Sequence, residues 1–215
     1  MRKKERAYLV VEKLKTEYPD AICSLEYTKP YELLIATRLS AQCTDARVNI
    51  VTKILFSRFD TLESLATAPV NEIEEIIKSC GLYKTKARDT KRIAQDLIER
   101  YSGIVPDTME ELLTLSGVGR KTANLILGDV YHKPAVVCDT HCIRITNRIG
   151  LTTTKDPLRC EMELVKLLPP EESNDFCHRM VLHGRAVCKA RAPQCEDCCI
   201  NTLCSFGIKA GKEKA

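Results

Sequence analysis

Apolar residues recur at helical spacing along almost the whole chain. Ala7, Val10, Val11, Leu14 and Tyr18 fall on one face of a first predicted helix, which Pro19 ends. Pro30 suits the first turn of a second, carrying Tyr31, Leu34, Ile35 and Leu39. Thr44 or Asp45 caps a third, with Val48, Val51, Ile54 and Leu55 facing inward. Short helices are predicted over 62–66 and 70–78. Gly81 then breaks the chain, and a longer helix is predicted from about 84 to 101. Thr108-x-x-Glu111 matches a capping box. No segment alternates with period two, so no sheet is expected, and the fold class is all-α. There is no fixed-period repeat and no low-complexity tract. Only the tail, residues 209–215, reads as disordered.

Composition narrows the class without naming a function. The 215 residues suffice for one large domain or two small ones. No apolar run is long enough to span a membrane, and no basic stretch followed by an apolar one opens the chain. A cytosolic protein is expected, with a nuclear one second. Twelve cysteines without a secretion signal argue for thiols rather than disulfides. The net charge of +4 gives only weak support to a nucleic-acid partner. Basic groups gather locally at Lys84, Lys86, Arg88, Lys91 and Arg92, at Arg120 and Lys121, and at Lys189 and Arg191. Each taken singly reads as a solvated face.

Four of the cysteines, Cys188, Cys195, Cys198 and Cys204, follow the spacing C-x6-C-x2-C-x5-C. Four thiolates on so short a loop can converge on one metal centre, and soft sulfur selects zinc or iron–sulfur iron. A zinc ribbon carries two well-separated C-x2-C knuckles, whereas this loop has one with a longer arm on each side. That asymmetry suits an iron–sulfur cube, although the spacing is not the ferredoxin one. Cys199, beside Cys198, is the rival ligand. Cys23, Cys43, Cys80, Cys138, Cys142, Cys160, Cys177 and Cys199 itself read as buried thiols.

Between two helical patterns lies Leu115-Ser116-Gly117-Val118-Gly119-Arg120-Lys121-Thr122. Two glycines one residue apart allow a hairpin, and they let backbone N–H groups approach a ligand without a Cβ in the way. The next helix starts near Arg120, so its positive end faces the same place and suits a phosphate. A tight helix–helix turn explains the same glycines equally well. Lys121 falls in the first turn of that helix, where the macrodipole disfavours a cation; neutral amine is the nucleophilic form. Further on, Val136-Val137-Cys138-Asp139-Thr140-His141 leads an apolar run into a helix at Asp139. By itself Asp139 reads as an N-cap and His141 as a packed or capping histidine.

In this order the motifs resemble the endonuclease III family of DNA glycosylases, the helix-hairpin-helix group with an iron–sulfur cluster. The resemblance covers nearly the whole chain. It is carried by Leu39-Ser40-Ala41-Gln42 with Thr44-Asp45, Gly81-Leu82-Tyr83, Gly117 to Asn124, Asp139-Thr140-His141, Arg148, and Leu182-His183-Gly184-Arg185 before Cys188. It implies two all-α lobes, one over 23–133 containing the hairpin, the other joining 1–22 to 134–215, with duplex DNA bound between them. It implies that the lysine at 121 attacks C1′ of the damaged nucleotide and that the aspartate at 139 stays ionised. An oxidised pyrimidine then leaves, and the strand is cut 3′ to the abasic site through a Schiff base. The residues matching Gln42 and Leu82 fill the gap left by the flipped base. Gly117 and Gly119 hold a backbone phosphate, and Lys189 and Arg191 reach others. A [4Fe–4S] cluster on Cys188, Cys195, Cys198 and Cys204, and a monomer, are also implied.

Two residues depart from the family pattern. Ser116 stands where proline is common, and Arg38 interrupts a helix that is usually more apolar, facing either solvent or a phosphate. Among rivals, adenine-specific mismatch relatives lack a lysine at 121 and usually carry a further C-terminal domain. A thymine-mismatch or alkylated-base glycosylase differs mainly in pocket shape. A non-catalytic DNA-binding module has no need of both Lys121 and Asp139, and an electron-transfer protein has no need of the hairpin.

Overall fold

The computed structural model describes residues 1–212, with side chains through Lys209. Among the described residues the chain is helical and holds no strand. In chain order the helices are α1 (Lys3–Glu17), α2 (Pro30–Leu39), α3 (Asp45–Arg58), α4 (Leu62–Thr67), α5 (Val70–Ile77) and α6 (Tyr83–Tyr101). They continue with α7 (Met109–Leu112), α8 (Arg120–Asp129), α9 (Thr140–Ile149), α10 (Pro157–Val165), α11 (Ser173–Ala186) and α12 (Ser205–Lys212). Two compact units result: Cys23–Tyr131, and Met1–Ile22 with His132–Ala215.

In the first unit α2 is the central element. It packs on α3, α6 and α8, while α6 also covers α4 and α5. Pro30 opens it, and the Glu32 carboxylate closes its N-terminus by accepting from the Thr28 N–H (2.8 Å), the Thr28 hydroxyl (2.9 Å) and the Lys29 N–H (3.1 Å). Its other end is capped from a distance. Lys86 of α6 is wholly buried and donates to the carbonyls of Leu39 (2.8 Å) and Ala41 (2.7 Å), so two orphan acceptors at a helix C-terminus meet a cation. Burial lowers the Lys86 pKa from the ordinary lysine value. Thr44 is the cap of α3, accepting from the Arg47 N–H. Val48, Val51 and Leu55 are buried as expected, but Ile54 is 54% exposed. The helical stripe predicted there is narrower than four residues wide.

In the second unit α1 lies on α11, and α9 lies on both α11 and α12. Ala7, Val10, Val11 and Leu14 of α1 and Phe176 and Met180 of α11 are fully buried. Tyr18 falls one residue beyond α1, where its hydroxyl meets His183 Nδ1 at 3.1 Å. All twelve cysteines are free. Cys80, Cys138, Cys142, Cys160 and Cys177 are buried, whereas Cys23, Cys43 and Cys199 are partly exposed, a departure from the uniform burial expected. The tail also departs. α12 runs to Lys212, through the start of the stretch that reads as disordered, because packing on α9 supports a helix too short to hold alone. Phe206 lies 5.1 Å from the Arg148 guanidinium. Residues 213–215 lie outside the described residues.

Removing the Glu32 carboxylate leaves three donors at the start of α2 unmatched. Glu32→Ala is expected to destabilise the chain by about 1–3 kcal/mol, and Glu32→Gln, which keeps an acceptor oxygen, by less. Thermal denaturation followed by circular dichroism checks the order.

Candidate nucleic-acid interface

The glycine hairpin joins α7 to α8. Thr108 caps α7, accepting from the Glu111 N–H at 3.3 Å. Glu111 Oε2 accepts from the Thr108 hydroxyl at 2.7 Å, so the carboxylate meets the cap side chain. The turn is closed by Val118 N–H to the Leu115 carbonyl, and Leu115 and Val118 are buried beneath it. Gly117 has φ +68, a left-handed conformation. A Cβ there would collide with Arg38 Nε and stand 2.8 Å from Asp89 Oδ2. Gly119 is different: it is the N-cap of α8 in extended backbone, and a Cβ there meets nothing within 4 Å. The open side of the hairpin is therefore at Gly119, where the first N–H groups of α8 begin. Lys121 follows in the first turn of α8 and is exposed.

Both departures from the family pattern meet under this hairpin. Arg38, in the last turn of α2, holds Asp89 of α6 through Nε (2.8 Å) and Nη2 (2.6 Å). The other Asp89 oxygen accepts from the Ser116 hydroxyl at 2.8 Å. Arg38 and Asp89 side chains are 13% and 15% exposed, so Arg38 faces neither open solvent nor a free surface.

Gln42 and Leu82 sit in neighbouring loops of the same unit. Both are non-glycine residues at positive φ, +55 and +59. A Cβ on Gly81 would stand 3.7 Å from the Gln42 carbonyl oxygen. Lys86 ties the loops together, since it rises from α6 just after Leu82 and donates to Ala41 just before Gln42. Leu82 is 59% exposed despite being apolar. Of the basic run on α6, Lys86 is buried and Lys91 donates to the Ala68 carbonyl, whereas Lys84, Arg88 and Arg92 are exposed, Arg92 while paired with Asp96.

In the other unit Asp139 is the N-cap of α9. Its Oδ1 accepts from the Cys142 N–H at 2.7 Å, and its Oδ2 lies 3.2 Å from His141 Nδ1. Nothing near His141 in the sequence reads as its partner, and the structure corrects this with a pairing to a residue two positions away. It arises because a cap residue and the second residue of its helix share one turn. His141 in turn packs on Gly184 of α11, where a Cβ would be 3.0 Å from Arg144 Nη2 and closer still to the imidazole.

Cys188, Cys195, Cys198 and Cys204 surround one cavity of about 340 Å³, open mouth included, which His183 and Arg148 also line. Cys199 does not line it; its charged neighbours are Glu17 and Lys13. Arg148 straps the loop, with Nη1 donating to Cys188 Sγ (3.2 Å) and the Lys189 carbonyl (2.8 Å), and Nη2 to the Ala190 carbonyl (2.7 Å). Arg144 Nη2 adds a bond to the Cys188 carbonyl at 3.0 Å. His183 Nε2 lies 3.5 Å from Cys198 Sγ, and burial pushes this histidine down to about 4, so it is neutral. Burial pushes the Cys198 thiol up to about 12 and raises Cys204 too. Thiolates here need a cationic partner of the kind that metal ligation supplies. Lys189 and Arg191 are exposed on the loop that carries these cysteines.

Comparison with known proteins places the chain. Residues 35–170 match the helix-hairpin-helix superfamily of base-excision DNA repair proteins. Endonuclease III of Synechocystis is 47% identical over 203 residues, covering 94% of this chain and 93% of that one. A trapped covalent intermediate of an endonuclease III with DNA superposes with a TM-score of 0.91 at 42% identity, covering 98% of this chain and all of that one. A thermostable thymine-DNA glycosylase follows at a TM-score of 0.84 and 25% identity, covering 95% and 98%. The chain belongs to the endonuclease III family, whose members are DNA glycosylases with AP lyase activity on double-stranded DNA.

The two hairpin glycines separate folding from access. Gly117→Ala is expected to destabilise by about 1–2 kcal/mol from backbone strain alone, before any collision. Gly119→Ala is expected to stay within about 0.5 kcal/mol of the parent. Urea denaturation of the two variants measures the contrast.

Proposed function

We propose that the chain removes oxidised pyrimidines from duplex DNA and cuts the strand by β-elimination through a Schiff base on Lys121. The observation that carries this reading is an exposed lysine in the first turn of α8, directly behind a glycine hairpin with an open N–H face. The hairpin takes a backbone phosphate, which brings the sugar of the flipped nucleotide to the amine. Neutral Lys121 Nζ attacks C1′, the glycosidic bond breaks and the base leaves with its electron pair. The amine gives up a proton, the C1′–O4′ bond opens with its electron pair leaving on O4′, which takes a proton, and the Schiff base forms. A C2′ proton is then removed, the C3′–O bond breaks, and water releases the enzyme. Asp139 supplies the anion that steadies positive charge on the sugar. Its capping bond and the contact with His141 hold the carboxylate in place while leaving it an acceptor. Exposed Leu82 wedges into the stack and Gln42 meets the orphaned base.

The four cysteines take a [4Fe–4S] cluster. Four thiols lining one cavity suit a cube that takes one thiolate per iron. When bound, the cluster cross-links the loop and performs no step of the reaction. Arg148 and Arg144 hold the loop backbone, and Lys189 and Arg191 extend from it towards phosphates.

Borohydride reduction in the presence of a duplex bearing thymine glycol or an abasic site is expected to yield a covalent complex with the wild type and none with Lys121→Ala. Asparagine caps a helix about as well as aspartate. Asp139→Asn is therefore expected to keep DNA affinity while slowing base release by about 10²-fold or more; unchanged release would reduce Asp139 to a cap.

Protein purified without oxygen is expected to be brown, with four irons and four acid-labile sulfides per chain by analogy with four-cysteine cubes. Colourless, zinc-loaded protein would overturn the assignment.

A further inference from the structure

The Arg38–Asp89–Ser116 chain lies directly under the tip of the phosphate-binding hairpin, and nothing in the proposed chemistry uses it. Three elements meet there: Arg38 from α2, Asp89 from α6 and Ser116 from the turn. Both Asp89 oxygens are engaged, one with the guanidinium and one with the Ser116 hydroxyl, so the carboxylate is a bridge. The next residue, Gly117, presses so closely on this bridge that a Cβ has no room. A proline at 116 would fix its own φ and restrict the residue before it, stiffening the turn through the chain itself. Serine does neither. The side chain must hold by hydrogen bonding what a ring would hold covalently.

We infer that Asp89 and Arg38 are positioning residues for DNA binding, acting through Ser116 to hold the hairpin in its phosphate-accepting conformation. Asp89 does this by accepting from Ser116. Arg38 does it by fixing the Asp89 carboxylate, with two donors in a planar fork that lysine cannot imitate. Neither touches DNA. Arg38 is spent on Asp89 and is mostly covered, which removes it from the set of phosphate contacts. The effect falls on affinity rather than on the chemical step, because Lys121 belongs to the helix that follows and is not in the bridge. This inference rests on reading the hairpin as a phosphate site.

The test uses full-length protein, with affinity read by fluorescence anisotropy on a duplex carrying a reduced, non-cleavable abasic analogue and single-turnover base release read on a thymine glycol duplex at saturating enzyme. Ser116→Ala keeps the ion pair and removes only its grip on the turn. It is expected to weaken binding about three- to tenfold, the scale of one lost hydrogen bond, with the saturated rate unchanged. The double variant Arg38→Leu, Asp89→Asn removes the pair without stranding a buried charge and is expected to weaken binding to a similar degree. Adding Ser116→Pro to that double variant is expected to restore affinity, since the ring replaces the bridge. A protein that merely lost stability would not regain affinity in this way. Unchanged affinity in Ser116→Ala, or failure of proline to rescue, overturns the inference. Gly119→Asp places a carboxylate at the open face. If it abolishes binding while Ser116→Ala binds normally, only the bridge falls; if it binds normally, the phosphate reading falls with it.

Discussion

A helix can offer its first N–H groups to an anion only if the turn ahead of it carries no side chain in the way and does not move. On the proposed phosphate role of the hairpin, that constraint organises the Cys23–Tyr131 unit. Gly119 keeps the face clear, and Gly117 takes the left-handed conformation that turns the chain. α2 and α6 supply the floor on which the turn rests. The same two helices carry the loops of Gln42 and Leu82. Lys86 from α6 seals the C-terminus of α2 and so fixes the loop of Gln42 relative to that of Leu82. One pair of packed helices therefore sets the conformation of the hairpin, the two loops and, through α8, the lysine.

The other unit meets a different requirement with the same economy. On the proposed role of Asp139, its carboxylate must be held without being neutralised by a permanent cation. Asp139 is gripped by a backbone N–H and a histidine, neither of which carries a fixed charge. The cysteine loop has little regular structure of its own and is secured by Arg148 and Arg144, which rise from successive turns of the helix that Asp139 caps. α9 thus links the carboxylate to the cysteine loop.

Most of the helices were legible from spacing alone, because buried residues of α1 repeat at three and four and because proline and glycine mark the breaks. Ile54 was misplaced, since a periodic pattern does not tell how wide the covered stripe is. The start of the tail was misread as well, because a short helix owes its order to the helix it lies on, and no local signal reports that neighbour. The lysine, the aspartate and the four cysteines stand out as residue types in unusual company. Their supports do not. Arg38, Asp89 and Ser116 come from three separate stretches, and Lys86 reads as one more member of a basic run. Side chains that act by joining distant segments leave no trace in the order of residues until the chain is folded.

Leu82 presents a large apolar side chain to water from a backbone conformation that few such residues adopt. Its conformational cost is met before any DNA arrives, and its solvation cost is recovered only where it can enter a stack. Intact duplex offers no such slot, so an encounter there rests on phosphates alone and is short-lived at ordinary salt. A site whose stacking is already weakened admits the side chain and lengthens the stay. On the proposed role of this residue, the first discrimination between sound and damaged DNA is one of dwell time, made by a rigid probe before any base is read.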